Sequence, residues 1–134
     1  MAIINLTPHK IHIYLESDFV NLVQQNATTF VADGINEGVT PIAVFEPKGN
    51  ARITVTTEDA GIKDGIPFVK STYGELVGIP EGVKEGDILI VSLPTKSNAL
   101  ASNHLLASQM VSPYKVVRDA VNTSNVLGAV GLSY

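Results

Sequence analysis

The run Ile88-Leu89-Ile90-Val91-Ser92-Leu93 is the most apolar extended segment of the chain. A continuous run of branched side chains with no polar alternation has no face to offer water, so it reads as a strand covered on both sides. A turn, Glu85-Gly86-Asp87, precedes it, and Pro94 breaks it. The stretch from Glu85 to Asp119 therefore organises the rest. It continues through the small-residue segment Ser97 to Ala107 and closes on Ser112-Pro113-Tyr114-Lys115-Val116-Val117-Arg118-Asp119.

Around this strand the chain is punctuated by seven prolines and eleven glycines. Ile3 to Leu6 is a short apolar run stopped at Thr7-Pro8. His9 to Leu15 alternates, with Ile11, Ile13 and Leu15 on one face and His12 and Tyr14 on the other. Residues 15–42 read as a hairpin-like insertion. Within it Asp18 to Gln25 suits either two helical turns or a strand, Thr28 to Val31 favours β, and Asp33-Gly34 and Glu37-Gly38 are turns. Pro41 to Phe45 and Ala51 to Thr57 are expected to pair as a hairpin across Pro47-Lys48-Gly49-Asn50. Glu58 to Gly65 reads as a polar loop, followed by short strands at Ile66 to Lys70 and Leu76 to Pro80, with Tyr73-Gly74 turning between them. Ser97 to Ala107 is the best helix candidate, with Ser97 as its cap. Tyr114 to Arg118 and Val126 to Leu132 are the last strands. The expected fold is mostly β: one domain over residues 1–134, a small barrel-like or sandwich-like antiparallel domain with one short helix at about 97–107.

Composition excludes several function classes. The net charge is −4, and arginine occurs only at positions 52 and 118. Seven scattered lysines make no basic cluster for duplex phosphates, so no nucleic-acid partner is expected. The absence of cysteine removes disulfides, thiolate catalysis and cysteine zinc sites, and suits a cytoplasmic protein. The first residues lack a charged region followed by a long apolar core, so no signal peptide is expected. No run approaches the roughly 18 apolar residues of a membrane span, so no membrane partner is expected. Only 16% of residues are charged and mean hydropathy is +0.22. Such a lean surface points to self-association, although a Ser/Thr/Asn-rich monomer surface fits the same numbers.

Chemistry-bearing residues are few. His9, His12 and His104 are the histidines, and the different strand parity of His9 and His12 argues against a shared metal. There is no Gly-x-Ser-x-Gly elbow, no His-x-Ser/Thr pair and no glycine-rich phosphate loop. No catalytic residue, metal or cofactor is assigned on this basis. Arg118-Asp119 stands out after an apolar strand. It reads either as a guanidinium fork for an anion or as a structural ion pair. Arg52 is a second arginine available to such a site, and Tyr14, Tyr73 and Tyr114 are candidate stacking surfaces.

Asn5-Leu6-Thr7-Pro8-His9 before a branched strand resembles a family of small phage and prophage proteins that open with this signature. Phe45-Glu46-Pro47-Lys48-Gly49-Asn50-Ala51-Arg52-Ile53, Leu76-Val77-Gly78-Ile79-Pro80, Ile90-Val91-Ser92 and Ser112-Pro113 followed by Val117-Arg118-Asp119-Ala120 are similar to its further motifs, in order. The polar positions that match are Asn5, Thr7, His9, Arg52, Ser92, Arg118 and Asp119. The family has no well-established activity, so the resemblance implies a phage setting and no mechanism. Together these readings lead to an expected small anionic, nucleotide-like ligand held by those seven residues, sequestered without catalysis as an anti-defence device. A phage structural or assembly accessory protein and a nucleotide-directed hydrolase are the alternatives.

Overall fold

A computed structural model describes residues 1–27 and 29–134 of the chain. In chain order its strands are β1 (Ile3–Asn5), β2 (Ile11–Ile13), β3 (Phe19–Val20), β4 (Val23–Gln24), β5 (Phe30–Ala32), β6 (Gly34–Ile35), β7 (Ala43–Phe45), β8 (Arg52–Lys63), β9 (Ile66–Val77), β10 (Ile88–Ile90), β11 (Met110–Asp119) and β12 (Val126–Ser133). One helix, α1 (Leu93–Ala101), and 3-10 turns at Glu16–Asp18 and Ala107–Gln109 complete it.

The main sheet runs β1-β10-β11-β12-β2-β7, and an isolated bridge between Asn5 and Pro47 brings its two edges together. The result is a nearly closed, mostly β barrel. Its sheet is mixed rather than antiparallel: β1/β10, β10/β11 and β12/β2 are parallel, as is the branch β5/β11. For β10 and β11 the physical reason lies at Pro94. A parallel neighbour requires a crossover connection, and the chain makes one by turning into α1 directly after β10. Ser92 caps that helix, its Oγ 3.4 Å from the Thr95 amide, and Pro94 occupies the first turn, where a missing N–H costs nothing. The helix thus covers 93–101 and not 97–107. It ends where Asn103 adopts a left-handed φ of 54°.

The central run behaves as its composition requires. Leu89, Ile90 and Val91 are completely buried, and neighbours along the strand serve opposite faces. Leu89 joins Leu6, Val91, Ala99 and Met110 under α1, whereas Ile90 joins Ile11, Ile13, Val111 and Ala129 inside the barrel. A third cluster, Tyr14, Phe19, Ala32 and Val117, lies beneath the excursion between β2 and β7. That excursion folds back in nested antiparallel pairs, β3 with β6 and β4 with β5, while β5 also adds to β11. The β expectation at 28–31 is met by β5 from Phe30 onward; Thr28 itself lies outside the described residues. Gly128 permits the close approach of β12 and β2, because a Cβ there would lie 2.8 Å from the Tyr14 ring.

The expected hairpin between 41–45 and 51–57 does not form. β7 pairs with β2, and β8 pairs with β9. What reads as loop, turn and short strands between Glu58 and Pro80 is instead a ribbon of two 12-residue strands. Its tip is Asp64-Gly65, with φ of 53° and 77°, the positive-φ pair that a two-residue hairpin turn requires. Every residue from Thr54 to Glu75 is exposed, so the ribbon stands off the body as an arm. Only its base, Ile53, Leu76 and Val77, is half-buried.

Candidate functional site

The site begins with a polar knot at the barrel seam. Asn5 is 1% exposed, and its side chain has a partner within reach at each of its four hydrogen-bonding positions. Its Nδ2 donates to the carbonyls of His9 (2.8 Å) and Phe45 (3.0 Å). Its Oδ1 accepts from the Thr7 amide (3.0 Å) and lies 2.7 Å from the Thr7 hydroxyl. That hydroxyl also lies 3.1 Å from the His9 carbonyl, so its single proton serves one acceptor at a time. One amide side chain therefore ties β1, the end of β7 and the 6–9 turn together. The turn in turn places His9 and Lys10 at the rim of a groove.

The groove is open and has a volume of about 1180 Å³. Thr7 to His12 form one side; Ser112 to Val116, Arg118 and the start of β12 form another. Ile11, Val116 and Ala129 of the barrel core also reach it. Its polar lining is of one electrostatic sign. Lys10, Lys115 and Arg118 line it with His9 and His12, and no Asp or Glu does among the described residues, in a chain of net charge −4. Hydroxyls come from Thr7, Ser92, Ser112 and Ser124, and aromatic faces from Phe30 and the exposed Tyr114.

The three cations are not equivalent. Lys10 pairs with Glu46 at 3.1 Å, and Lys115 with Glu16 at 2.9 Å. The hydrogen bond from Glu16 holds the Lys115 ammonium above its ordinary pKa, with the nearby carboxylate charge adding to it and partial desolvation opposing it. Lys115 Nζ also lies 5.4 Å from the centre of the Phe30 ring. Its backbone is strained, with a φ of 48° inside a strand, a region that side chains other than glycine rarely adopt. Arg118 differs: one guanidinium N–H donates to the Thr123 carbonyl at 3.1 Å, and no carboxylate pairs with it among the described residues. It sits where the β11/β12 register shifts, opposite Val126.

Of the seven residues singled out from sequence, four line the groove: Thr7, His9, Ser92 and Arg118. Asn5 supports it from inside the seam. Asp119 faces the following turn, its Oδ1 accepting from the amides of Val121 (2.9 Å) and Asn122 (3.3 Å). Arg118 and Asp119 form no ion pair, because successive residues of a strand point to opposite sides. Arg52 stands at the base of the arm, donating to the Asn50 carbonyl at 3.1 Å, outside the groove. Sequence reasoning passed over Lys10, His12, Ser112 and Lys115. His9 and His12 both line the groove, against the parity argument, since His9 lies in the turn before β2 and strand alternation does not apply to it. Among the described residues no group of three or more His, Asp or Glu side chains is arranged to hold a metal.

No protein-family model, curated protein or solved structure matches the chain. The reading of the site therefore rests on its own geometry. No helix among the described residues is long and apolar enough to cross a membrane.

Proposed function

We propose that the groove binds a small anionic, nucleotide-type ligand and retains it without turnover, and that the protein is a phage-encoded sponge for a signalling molecule of bacterial immunity. The observation that carries the binding reading is the lining: among the described residues it holds Lys10, Lys115 and Arg118 and no Asp or Glu, and Arg118 has no carboxylate partner although Lys10 and Lys115 are paired from outside the groove. A phosphate at Arg118 meets a guanidinium whose remaining donors have no carboxylate to satisfy them. Tyr114 and Phe30 offer flat faces for a base, and the hydroxyls of Ser92 and Ser112 lie along the same groove for ribose or phosphate oxygens. The phage setting and the immunity role rest on the resemblance of the Asn5-to-His9 signature and the motifs after it.

The test is thermal unfolding against cyclic and linear nucleotides and ADP-ribose derivatives, followed by mass analysis of ligand released on denaturation. A native-state ligand raises Tm as RT ln(1 + [L]/Kd). A shift with intact ligand recovered supports sequestration. Altered ligand instead indicates the hydrolase, for which His9 and His12 are the histidine bases at the groove. No shift across the panel removes the proposal and leaves the assembly-accessory reading, which the exposed β8–β9 arm favours.

A further inference from the structure

Four residues other than glycine adopt a left-handed φ among the described residues. Three of them, Asn21, Asp64 and Asn103, lie in turns and are of the types whose short polar side chains tolerate it. The fourth is Lys115, in the middle of β11. A long side chain held in that region is strained, and such strain persists where the surroundings over-determine it, as they do at ligand clamps. The one ion pair of Lys115 does not account for it. Its partner Glu16 is solvent-exposed, and pairs of that kind contribute little to stability.

The two halves of the pair are unequally held. The Lys115 side chain is 26% exposed, rises from a strand paired on both sides, and carries its Nζ 5.4 Å from the centre of the Phe30 ring. The Glu16 side chain is 55% exposed, on a 3-10 turn with no buried residue and no side-chain cap. Its carboxylate has no partner besides Lys115 among the described residues. Only the lysine lines the groove. The other rim pair lacks this asymmetry, since Lys10 and Glu46 are both about half exposed.

We infer that Lys115 is an anion-binding residue of the groove and that Glu16 is its resident competitor, a carboxylate that holds the ammonium in place until an anionic group of a ligand displaces it. The inference rests on the reading of the groove as an anion site. The exchange is favourable at the lysine, because a phosphate brings more charge and more acceptor oxygens than a carboxylate does. It is inexpensive at the glutamate, which is released into water from a turn that buries nothing. Glu16 therefore lowers the affinity of the groove for every anion that must reach Lys115.

Calorimetry with inorganic pyrophosphate at low ionic strength tests this, because the probe offers anionic oxygens and no base. Glu16→Gln, an exposed change that leaves the barrel folded by circular dichroism, binds pyrophosphate about threefold more tightly than wild type, the scale of an exposed ion pair. Lys115→Gln binds more weakly, and on that background Glu16→Gln gains nothing. Glu37→Gln, exposed in the same excursion and with the same change in net charge, keeps the wild-type affinity. The inference is overturned by an unchanged Glu16→Gln, by a gain that survives the loss of Lys115, or by an equal gain from Glu37→Gln. Absence of pyrophosphate binding to both wild type and Glu16→Gln overturns it as well. Its failure is separable from that of sequestration. A nucleotide retained intact beside a flat pyrophosphate cycle removes Glu16 as competitor and leaves the sponge. The expected cycle beside nucleotides that are altered or not bound removes the sponge and leaves Glu16 in its role.

Discussion

At the scale of single residues, Asn5 sets the seam and Lys115 marks the groove. Asn5→Leu leaves the Thr7 amide and the Phe45 carbonyl without their partner, while the freed Thr7 hydroxyl still serves the His9 carbonyl. At about 1–3 kcal/mol for an orphaned buried group, the expected loss is at least about 2 kcal/mol, measured by denaturant unfolding. Asn5→Asp also destabilises, because a carboxylate oxygen replaces the donor facing two carbonyls. At Lys115 both Lys115→Gly and Lys115→Ala lose the Glu16 contact, so their difference isolates the backbone. Glycine accepts φ of 48° without penalty, and Lys115→Gly melts higher than Lys115→Ala. Asp87 is the acid-sensitive residue. Its carboxylate accepts from the amides of Ala2 (3.0 Å) and Lys84 (2.9 Å), and the Lys84 hydrogen bond, followed by that of Ala2, holds its pKa below the ordinary 3.8. A depressed folded pKa gives stability that is complete above 3.8 and lost as pH falls from there through the lowered value. In Tm measured against pH, Asp87→Asn is less stable than wild type at neutral pH, and the gap narrows in acid. Lys115 has the opposite sign: its raised pKa gives stability present below the ordinary 10.5 and lost as pH climbs beyond it.

At the scale of elements, the arm and the barrel are separable. Since every side chain from Thr54 to Glu75 is exposed in the single chain, none of them holds the barrel together. Replacing residues 57–71 by an Asn-Gly turn between Thr56 and Thr72 leaves the barrel folded, with the cooperative unfolding transition of the monomer close to wild type by circular dichroism. The same exposure explains why the arm was not legible in the sequence. Strand recognition works through burial, which imposes alternation, and Glu58, Asp59, Ala60 and Gly61 show none. The Asp64-Gly65 turn was the available signal. It sits at the end of a polar run in which the register shift at Asp59/Ile62 breaks the alternation that would mark a strand. The helix was misplaced for a different reason. Pro94 is a breaker inside a helix but a starter in its first turn, and only the Ser92 cap distinguishes the two.

For the whole molecule, the groove exists because distant segments meet: the 7–12 turn and strand, the start of α1, β11 and β12. Arg118→Ala removes its one cation without a carboxylate partner among the described residues and is expected to weaken binding of the proposed nucleotide-type ligand at least tenfold, about 1.5–3 kcal/mol for a charge-assisted hydrogen bond. Calorimetry checks this, with an unchanged Tm of the ligand-free protein showing that the fold is intact. Its partner there, the Thr123 carbonyl, is exposed and takes water instead. By itself the sequence determined the β class and the doubly covered strand at Ile88 to Val91, and four of the seven polar positions it singled out lie along the groove. These depend on local pattern: branched runs, proline and glycine stops, and hydroxyl or arginine positions beside them. Only the tertiary structure decided which strands pair, that the sheet closes at Asn5 and Pro47, and that Lys10, His12 and Lys115 join Arg118. Strand partners are chosen by side-chain packing between segments far apart in the chain, and alternation within one strand carries no record of its neighbour.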